Sequence, residues 1–201
     1  MITDYKRNQL AKIIKARSFG EGDITLASGK RSTFYFDMKP TMLDSTSAII
    51  ISEMILDKLY TVDADYVGGL ELGAVPVVSS VVAVSAASDC PINGFIVRKQ
   101  AKGHGAKKLI EGLTLNESLS GKRVVILEDV TTTGHSAGQV IDLCEELGAT
   151  VLMVISIVDR EDGASEYFTS RNINFESLFK ASEFVTKPVI KRSWLAKLLN
   201  F

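Results

Sequence analysis

Val124-Val125-Ile126-Leu127-Glu128-Asp129-Val130-Thr131-Thr132-Thr133-Gly134-His135-Ser136 decides how this chain is read. It opens with the unbroken apolar, β-branched character of a strand covered on both faces. Two carboxylates follow, at the carboxyl end of that strand, where open α/β sheets bind their ligands. Acids placed there accept hydrogen bonds from sugar hydroxyls or hold a divalent cation. Three threonines and a glycine then lead into a helix, and a turn of that kind presents N–H groups and small hydroxyls to an anion. The whole describes a pocket for a phosphorylated sugar. The plainer alternative is a solvated strand end with a helix-capping turn, but capping needs one such side chain and this stretch supplies two acids and three threonines.

Working outward, the pattern alternates between strand and helix. Strands are expected at residues 66–69, 93–97, 124–127 and 150–158, with helices at 74–87 and 136–147, the second stopped by Gly148. A short helix at 164–170 and a strand at 175–179 follow. This is an α/β pattern, a doubly wound, mostly parallel sheet. Ahead of it, a helix with Leu10, Ile13 and Ile14 on one face is capped by Thr3 or Asp4 and ends near residues 18–20. A hairpin of 24–26 and 33–36 turns at Ser28-Gly29-Lys30, so residues 1–40 form a small hood over the sheet. Asp44 or Ser45 caps the next helix, where Ile49, Ile50, Met54 and Ile55 provide the apolar positions. Residues 194–199 suggest a short closing helix. No repeat or linker interrupts the chain, which reads as one domain over 1–201.

Composition narrows the function classes. With 23 Lys and Arg against 24 Asp and Glu, and a net charge of −1, the chain has no general attraction for nucleic acid or an anionic membrane. Residues 73–88 are charge-free and apolar, yet shorter than the roughly 18 continuous apolar residues of a membrane span. Cys90 and Cys144 lack metal or redox-pair spacing and read as reduced core thiols. The first residues carry no apolar export signal, and together these features suggest a cytoplasmic protein.

Two further stretches carry chemistry. Arg98-Lys99-Gln100-Ala101-Lys102-Gly103-His104-Gly105-Ala106-Lys107-Lys108 concentrates five of the chain's basic residues with one of its two histidines. Alone it reads as a solvated basic loop. Beside a sugar-phosphate pocket it supplies the cations that a diphosphate leaving group needs, with glycines as hinges. Gly68-Gly69-Leu70-Glu71-Leu72-Gly73 joins a strand to a helix. It is either a simple turn or a place where backbone amides around Leu72 and Gly73 meet a pyrophosphate.

The strand with Glu128-Asp129-Val130-Thr131-Thr132-Thr133-Gly134 resembles the diphosphosugar signature of type I phosphoribosyltransferases. The Arg-Lys-x-x-Lys-x-His-Gly order of residues 98–105 resembles the mobile catalytic loop of the orotate phosphoribosyltransferases, here placed at 98–112. The resemblance implies that Arg98, Lys99, Lys102 and His104 bind the diphosphate of phosphoribosyl diphosphate and assist its departure. It also implies that Glu128 and Asp129 bind the ribose hydroxyls, while Val130, Thr131, Thr132, Thr133, Gly134, His135 and Ser136 surround the 5-phosphate. Tyr35 and Phe36 match the family's aromatic pair, and Thr132 and Arg160 its base-binding residues. Arg suits a ring carboxylate because it binds bidentately. Mg²⁺, held mainly by the diphosphate, and a homodimer in which each loop serves the neighbouring site are further implications. Two departures stand out: Ala27 and Gly73 occupy positions where the family commonly has lysine.

The implied reaction is Mg²⁺-dependent transfer of phosphoribosyl to orotate, giving orotidine 5′-monophosphate and pyrophosphate in pyrimidine biosynthesis. The alternatives are a phosphoribosyltransferase for a purine base, or a regulator that senses phosphoribosyl diphosphate without turning it over. A generic nucleotide-binding protein is disfavoured because both Gly-x-Gly-x-x-Gly and Gly-Lys-Ser/Thr are missing.

Overall fold

The structure, a computed structural model, describes residues 4–25, 31–88, 91–100 and 109–185. Lys30, Ala27, Cys90, residues 101–108 with Lys102 and His104, and the 194–199 segment lie outside the described residues. A six-stranded sheet runs β5-β4-β3-β6-β7-β8. Its strands are β3 (Tyr66–Leu70), β4 (Asn93–Val97), β5 (Ile110–Glu111), β6 (Arg123–Thr131), β7 (Thr150–Asp159) and β8 (Asn174–Lys180). All neighbouring pairs are parallel except β4 with β5. Parallel strands need crossover helices, and these wrap both faces. Helices α3 (Ser45–Leu59) and α4 (Ala74–Ser85) share one apolar cluster with Val67, Val125 and Leu127. Helices α5 (His135–Glu146) and α6 (Ala164–Ser170) share the other with Tyr66, Val124 and Ile126. The alternation of Val124, Val125, Ile126 and Leu127 between the two clusters is the period-2 pleat of a strand buried on both sides.

A helix and hairpin stand at the amino-terminal end, as the sequence predicts: α1 (Asp4–Arg17), β1 (Phe19–Thr25) and β2 (Arg31–Phe36). Leu10 and Ile14, one helical turn apart, are the fully buried face of α1. Phe19 and Phe36 are register partners across the hairpin, with ring centroids 5.2 Å apart, and Phe184 closes the cluster from beyond β8. A short helix, α2 (Lys39–Met42), joins the hairpin to α3. It is seated by a buried 2.6 Å hydrogen bond between the Ser18 and Thr41 hydroxyls.

Several sequence expectations shift. The motif strand does not end at Leu127 but continues to Thr131, so both carboxylates sit within the ladder. The expected strand at 66–69 runs on to Leu70, with Gly68 and Gly69 inside it: a Cβ on Gly68 would meet the Phe95 ring at 2.3 Å, and one on Gly69 the Leu127 carbonyl at 2.3 Å. These glycines allow close packing rather than a bend. In α3 the cap is Asp44, whose carboxylate accepts from the Ser47 N–H at 3.1 Å. Its buried stripe is Ile50, Ile51, Ile55 and Leu59, while Ile49 is 51% exposed. Cys144 is free and buried, and burial pushes its thiol up to about 12, so it fills the core without being reactive. No helix among the described residues is long and apolar enough to cross a membrane.

Candidate functional site

After β3 the chain crosses through α4 to β4, and after β6 it crosses through α5 to β7, in the opposite direction along the sheet. The carboxyl ends of β3 and β6 are therefore the switch point where such sheets form a ligand crevice. A cavity of about 280 Å³ lies there. Leu70, Glu71, Leu72 and Gly73 border it from β3, Glu128, Asp129 and Val130 from β6, and Ser136 from α5; Lys39 and Lys99 add charge. An apolar groove of about 440 Å³ beside Leu109, Leu113 and Leu143 is larger. Volume does not decide between them, because only the switch-point cavity gathers convergent charged groups.

Two carboxylates meet in this cavity. Glu128 is 7% exposed and accepts the Asp129 N–H at 3.3 Å; Asp129 accepts the Val130 N–H at 2.8 Å. Burial, and next the neighbouring Asp129 charge, hold the Glu128 carboxyl well above the usual glutamate range. A ligand that brings hydroxyl donors or a cation relieves that cost. Opposite, the Gly73 backbone is so close that a Cβ there would lie 2.7 Å from Asp129 Oδ1. The Glu71–Leu72 peptide in this loop is cis, and the Leu72 side chain is 63% exposed.

The threonine turn runs into α5 through Gly134, whose φ of 84° is left-handed. A Cβ there would also meet the Tyr167 and Phe168 rings at 2.8 and 2.9 Å, so glycine is required twice over. No side chain caps the first turn of α5, which leaves its N–H groups open to an anion, and Ser136 of that turn borders the cavity. Thr131 is buried, Thr132 and Thr133 are half-buried, and His135 and Ser136 are exposed. His135 Nδ1 lies 2.8 Å from Thr133 Oγ1, and its ring stacks on Tyr167 at 4.9 Å. Tyr167 from α6 thus buttresses the turn from behind.

Arg160 stands one strand over, just past β7. Its N–H donates to the Thr131 carbonyl at 2.9 Å, which ties it to the motif strand. Its guanidinium is not a surface group: the residue is 6% exposed, donates to Ser32 Oγ at 3.1 Å and lies 4.8 Å from the centre of the Phe34 ring. It also forms an ion pair with Asp162, Nε to Oδ2 at 3.3 Å. Of the hairpin aromatics, Phe36 joins the Phe19 cluster while Tyr35, 43% exposed, covers Gly20. Adjacent strand residues face opposite ways, so Phe34, which the sequence reading passed over, is the ring beside Arg160.

At the root of the basic loop, Lys99 N–H donates to Glu71 Oε1 at 3.0 Å and Arg98 Nη1 lies 3.9 Å from Glu71 Oε2. Glu71, also missed from sequence, therefore joins the β3 loop to the basic loop. Nothing local marks such a contact between residues 71 and 99. Glu71→Ala should lower kcat/KM about tenfold or more, on the scale of a charge-assisted hydrogen bond. Glu71→Gln, which keeps an acceptor for the Lys99 N–H, should lose less in the same steady-state comparison.

A phosphoribosyl transferase domain family model matches residues 45–180. The orotate phosphoribosyltransferase of Rhodopseudomonas palustris strain TIE-1 is 51% identical over 179 residues, which is 89% of this chain and 96% of that protein. The chain belongs to the orotate phosphoribosyltransferase family. Among solved structures, the Mycobacterium tuberculosis H37Rv orotate phosphoribosyltransferase complexed with Fe(III) dicitrate has a TM-score of 0.77 and 32% identity, covering 90% of this chain and 99% of that one. The same enzyme in complex with 5-phospho-α-D-ribosyl 1-diphosphate has a TM-score of 0.73 and 27% identity, covering 92% and 94%. As an orotate phosphoribosyltransferase family member, the chain carries its motif strand, Arg160 and every residue bordering the cavity except Lys39 within the matched region.

Proposed function

We propose that this protein, acting as one phosphoribosyltransferase domain over residues 1–201, transfers the phosphoribosyl group of 5-phosphoribosyl 1-diphosphate to N1 of orotate. The C1–diphosphate bond breaks, the C1–N1 bond forms, and orotidine 5′-monophosphate and pyrophosphate leave. The observation that carries this reading is the grouping at the ends of β6 and β7: a carboxylate pair and an uncapped helix N-terminus, with the Arg160 guanidinium under the hairpin. The α5 amides and Thr131, Thr132, Thr133, Gly134, His135 and Ser136 receive the 5-phosphate. Glu128 and Asp129 take the ribose hydroxyls and face the positive charge that develops at C1. Backbone groups of Leu72 and Gly73 meet the diphosphate. Arg98 and Lys99 belong to the same site as Lys102 and His104, which close over the leaving group. The N1 proton of orotate is released as the C1–N1 bond forms, passing to the departing diphosphate or to solvent, and catalysis otherwise rests on charge stabilisation and alignment.

The residues fit a diphosphate-borne Mg²⁺. Asp129 and Glu128 offer one or two carboxylate oxygens, and among the described residues no group of three or more His, Cys, Asp or Glu is placed to hold a metal. Such an ion takes its remaining ligands from substrate and water, and when bound it offsets diphosphate charge. Homodimerisation, with each basic loop serving the neighbouring site, is part of this reading through the family the chain belongs to. The setting proposed is the cytoplasm.

Arg160 separates orotate from purine bases. Arg160→Ala should raise the orotate KM by an order of magnitude or more, since a buried charge-assisted contact is worth roughly 1.5–3 kcal/mol. The KM for phosphoribosyl diphosphate should stay within about twofold of wild type, a margin well under that energy. Equal weakening for both substrates, or wild-type turnover of adenine or hypoxanthine with orotate ignored, would overturn the assignment.

A further inference from the structure

Among the described residues, the switch-point cavity sets three carboxylates, Glu71, Glu128 and Asp129, against two cations. Lys99 belongs to the root of the basic loop. Lys39 comes from a different element, α2, and nothing in the motifs marks it. Its backbone is fixed three ways: Pro40 sits in the first turn of α2, Thr41 and Met42 are buried, and the Asp37 carboxylate accepts the Lys39 N–H at 3.3 Å. The side chain is about half exposed, at 48%, and its ammonium pairs with Asp37 Oδ1 at 3.0 Å. Asp129, across the cavity, also acts on its charge.

The opposite wall explains why a cation is wanted there. Gly73 presents bare backbone to Asp129, and a Cβ at 73 would lie 2.7 Å from Oδ1 and 3.0 Å from Cγ of that acid. A side chain at 73 would shift Asp129, and with glycine there the positive charge on this part of the cavity comes from other elements. Lys39 borders the same cavity as Gly73 and Asp129.

We propose that Lys39 is a substrate-contacting residue, whose ammonium leaves Asp37 and binds an oxyanion of phosphoribosyl diphosphate beside Asp129. This rests on the phosphoribosyl-diphosphate reading of the site. The exchange is favourable in kind, because an exposed lysine–carboxylate pair is weakly held whereas a diphosphate oxyanion offers a more highly charged acceptor inside the cavity. An ammonium carries three donors, so a ribose or second diphosphate oxygen can share it. Lys39 also links the hood to the cavity, since α2 follows directly on β2.

Titration calorimetry of phosphoribosyl diphosphate with Mg²⁺, together with steady-state kinetics, tests this on Lys39→Met and Lys39→Arg. Lys39→Met should raise both Kd and KM for phosphoribosyl diphosphate about tenfold or more. The orotate KM should remain within about twofold, the thermal midpoint should be unchanged, and Lys39→Arg should recover most of the binding. Phosphoribosyl-diphosphate binding within about twofold of wild type in Lys39→Met would overturn the proposal, being far below one charge-assisted contact. Equal weakening of both substrates with a lowered midpoint would also overturn it, by assigning the loss to α2 packing. Should wild type bind phosphoribosyl diphosphate yet ignore orotate, the orotate reading falls, and the calorimetric comparison still decides the role of Lys39.

Discussion

Glu128→Gln is expected to make the protein more stable at neutral pH while stripping it of most of its activity. The Glu128 carboxyl is held above its ordinary value, first by burial and then by the Asp129 charge. A group whose acid form is preferred in the folded state binds its proton more tightly there than in the unfolded chain. Stability is then undiminished below the ordinary value near 4.5, falls as pH rises from there through the raised folded value, and stays reduced above it. Glutamine keeps the shape and an acceptor for the Asp129 N–H but never ionises. Its midpoint should exceed wild type at pH 7–8 by the equivalent of about 0.5–2 kcal/mol, with the difference vanishing below the ordinary glutamate value. Turnover should drop by two orders of magnitude or so, the scale for losing a group that meets developing charge. Thermal unfolding across pH checks this, and a destabilised Glu128→Gln at pH 8 would contradict the account of the pair. Bound phosphoribosyl diphosphate with Mg²⁺ should narrow the gap, because hydroxyl donors and a cation favour the ionised form.

Gly134→Ala should be strongly destabilising, because backbone strain and crowding act there together. Its φ of 84° is strained for alanine, and the added methyl would lie 2.8 Å from Tyr167 and 2.9 Å from Phe168. Strain of about 1–3 kcal/mol and overpacking of about 1–3 kcal/mol give an expected loss of roughly 2–6 kcal/mol in urea unfolding. The same shift moves the first turn of α5, so the KM for phosphoribosyl diphosphate should rise sharply in whatever fraction still folds. Gly163→Ala is the matched control: it has a left-handed φ of 104° but open space around the missing Cβ, so it should lose only the strain component. Near-identical losses at 134 and 163 would mean that the Tyr167 buttress carries no weight.

The sheet was legible in the sequence because its strands are buried on both faces and its helices repeat apolar residues every three to four positions. The acids and threonines of the motif were legible for a related reason, since no packing role calls for that many polar groups at a strand end. Short and long-range features were not legible. Helix α2, four residues long, and β5, two residues long, cannot show a period, although Pro40 at the first turn was a start signal for α2. Consecutive isoleucines hid which face of α3 turns inward. The placing of Arg160 against Ser32 and Phe34, and of Glu71 against Lys99, depends on how separate elements meet, and periodicity within either element carries no trace of it.

The central claim is that the crevice at the ends of β3 and β6 joins phosphoribosyl from its diphosphate to orotate. The most direct measurement follows orotate absorbance and pyrophosphate release together, with 5-phosphoribosyl 1-diphosphate and Mg²⁺ present, and repeats the run with adenine and hypoxanthine. Orotate should disappear with one pyrophosphate released per molecule consumed, the purines should be untouched, and Asp129→Asn should abolish most of the signal. Undiminished orotate in the presence of folded protein and phosphoribosyl diphosphate would contradict the claim.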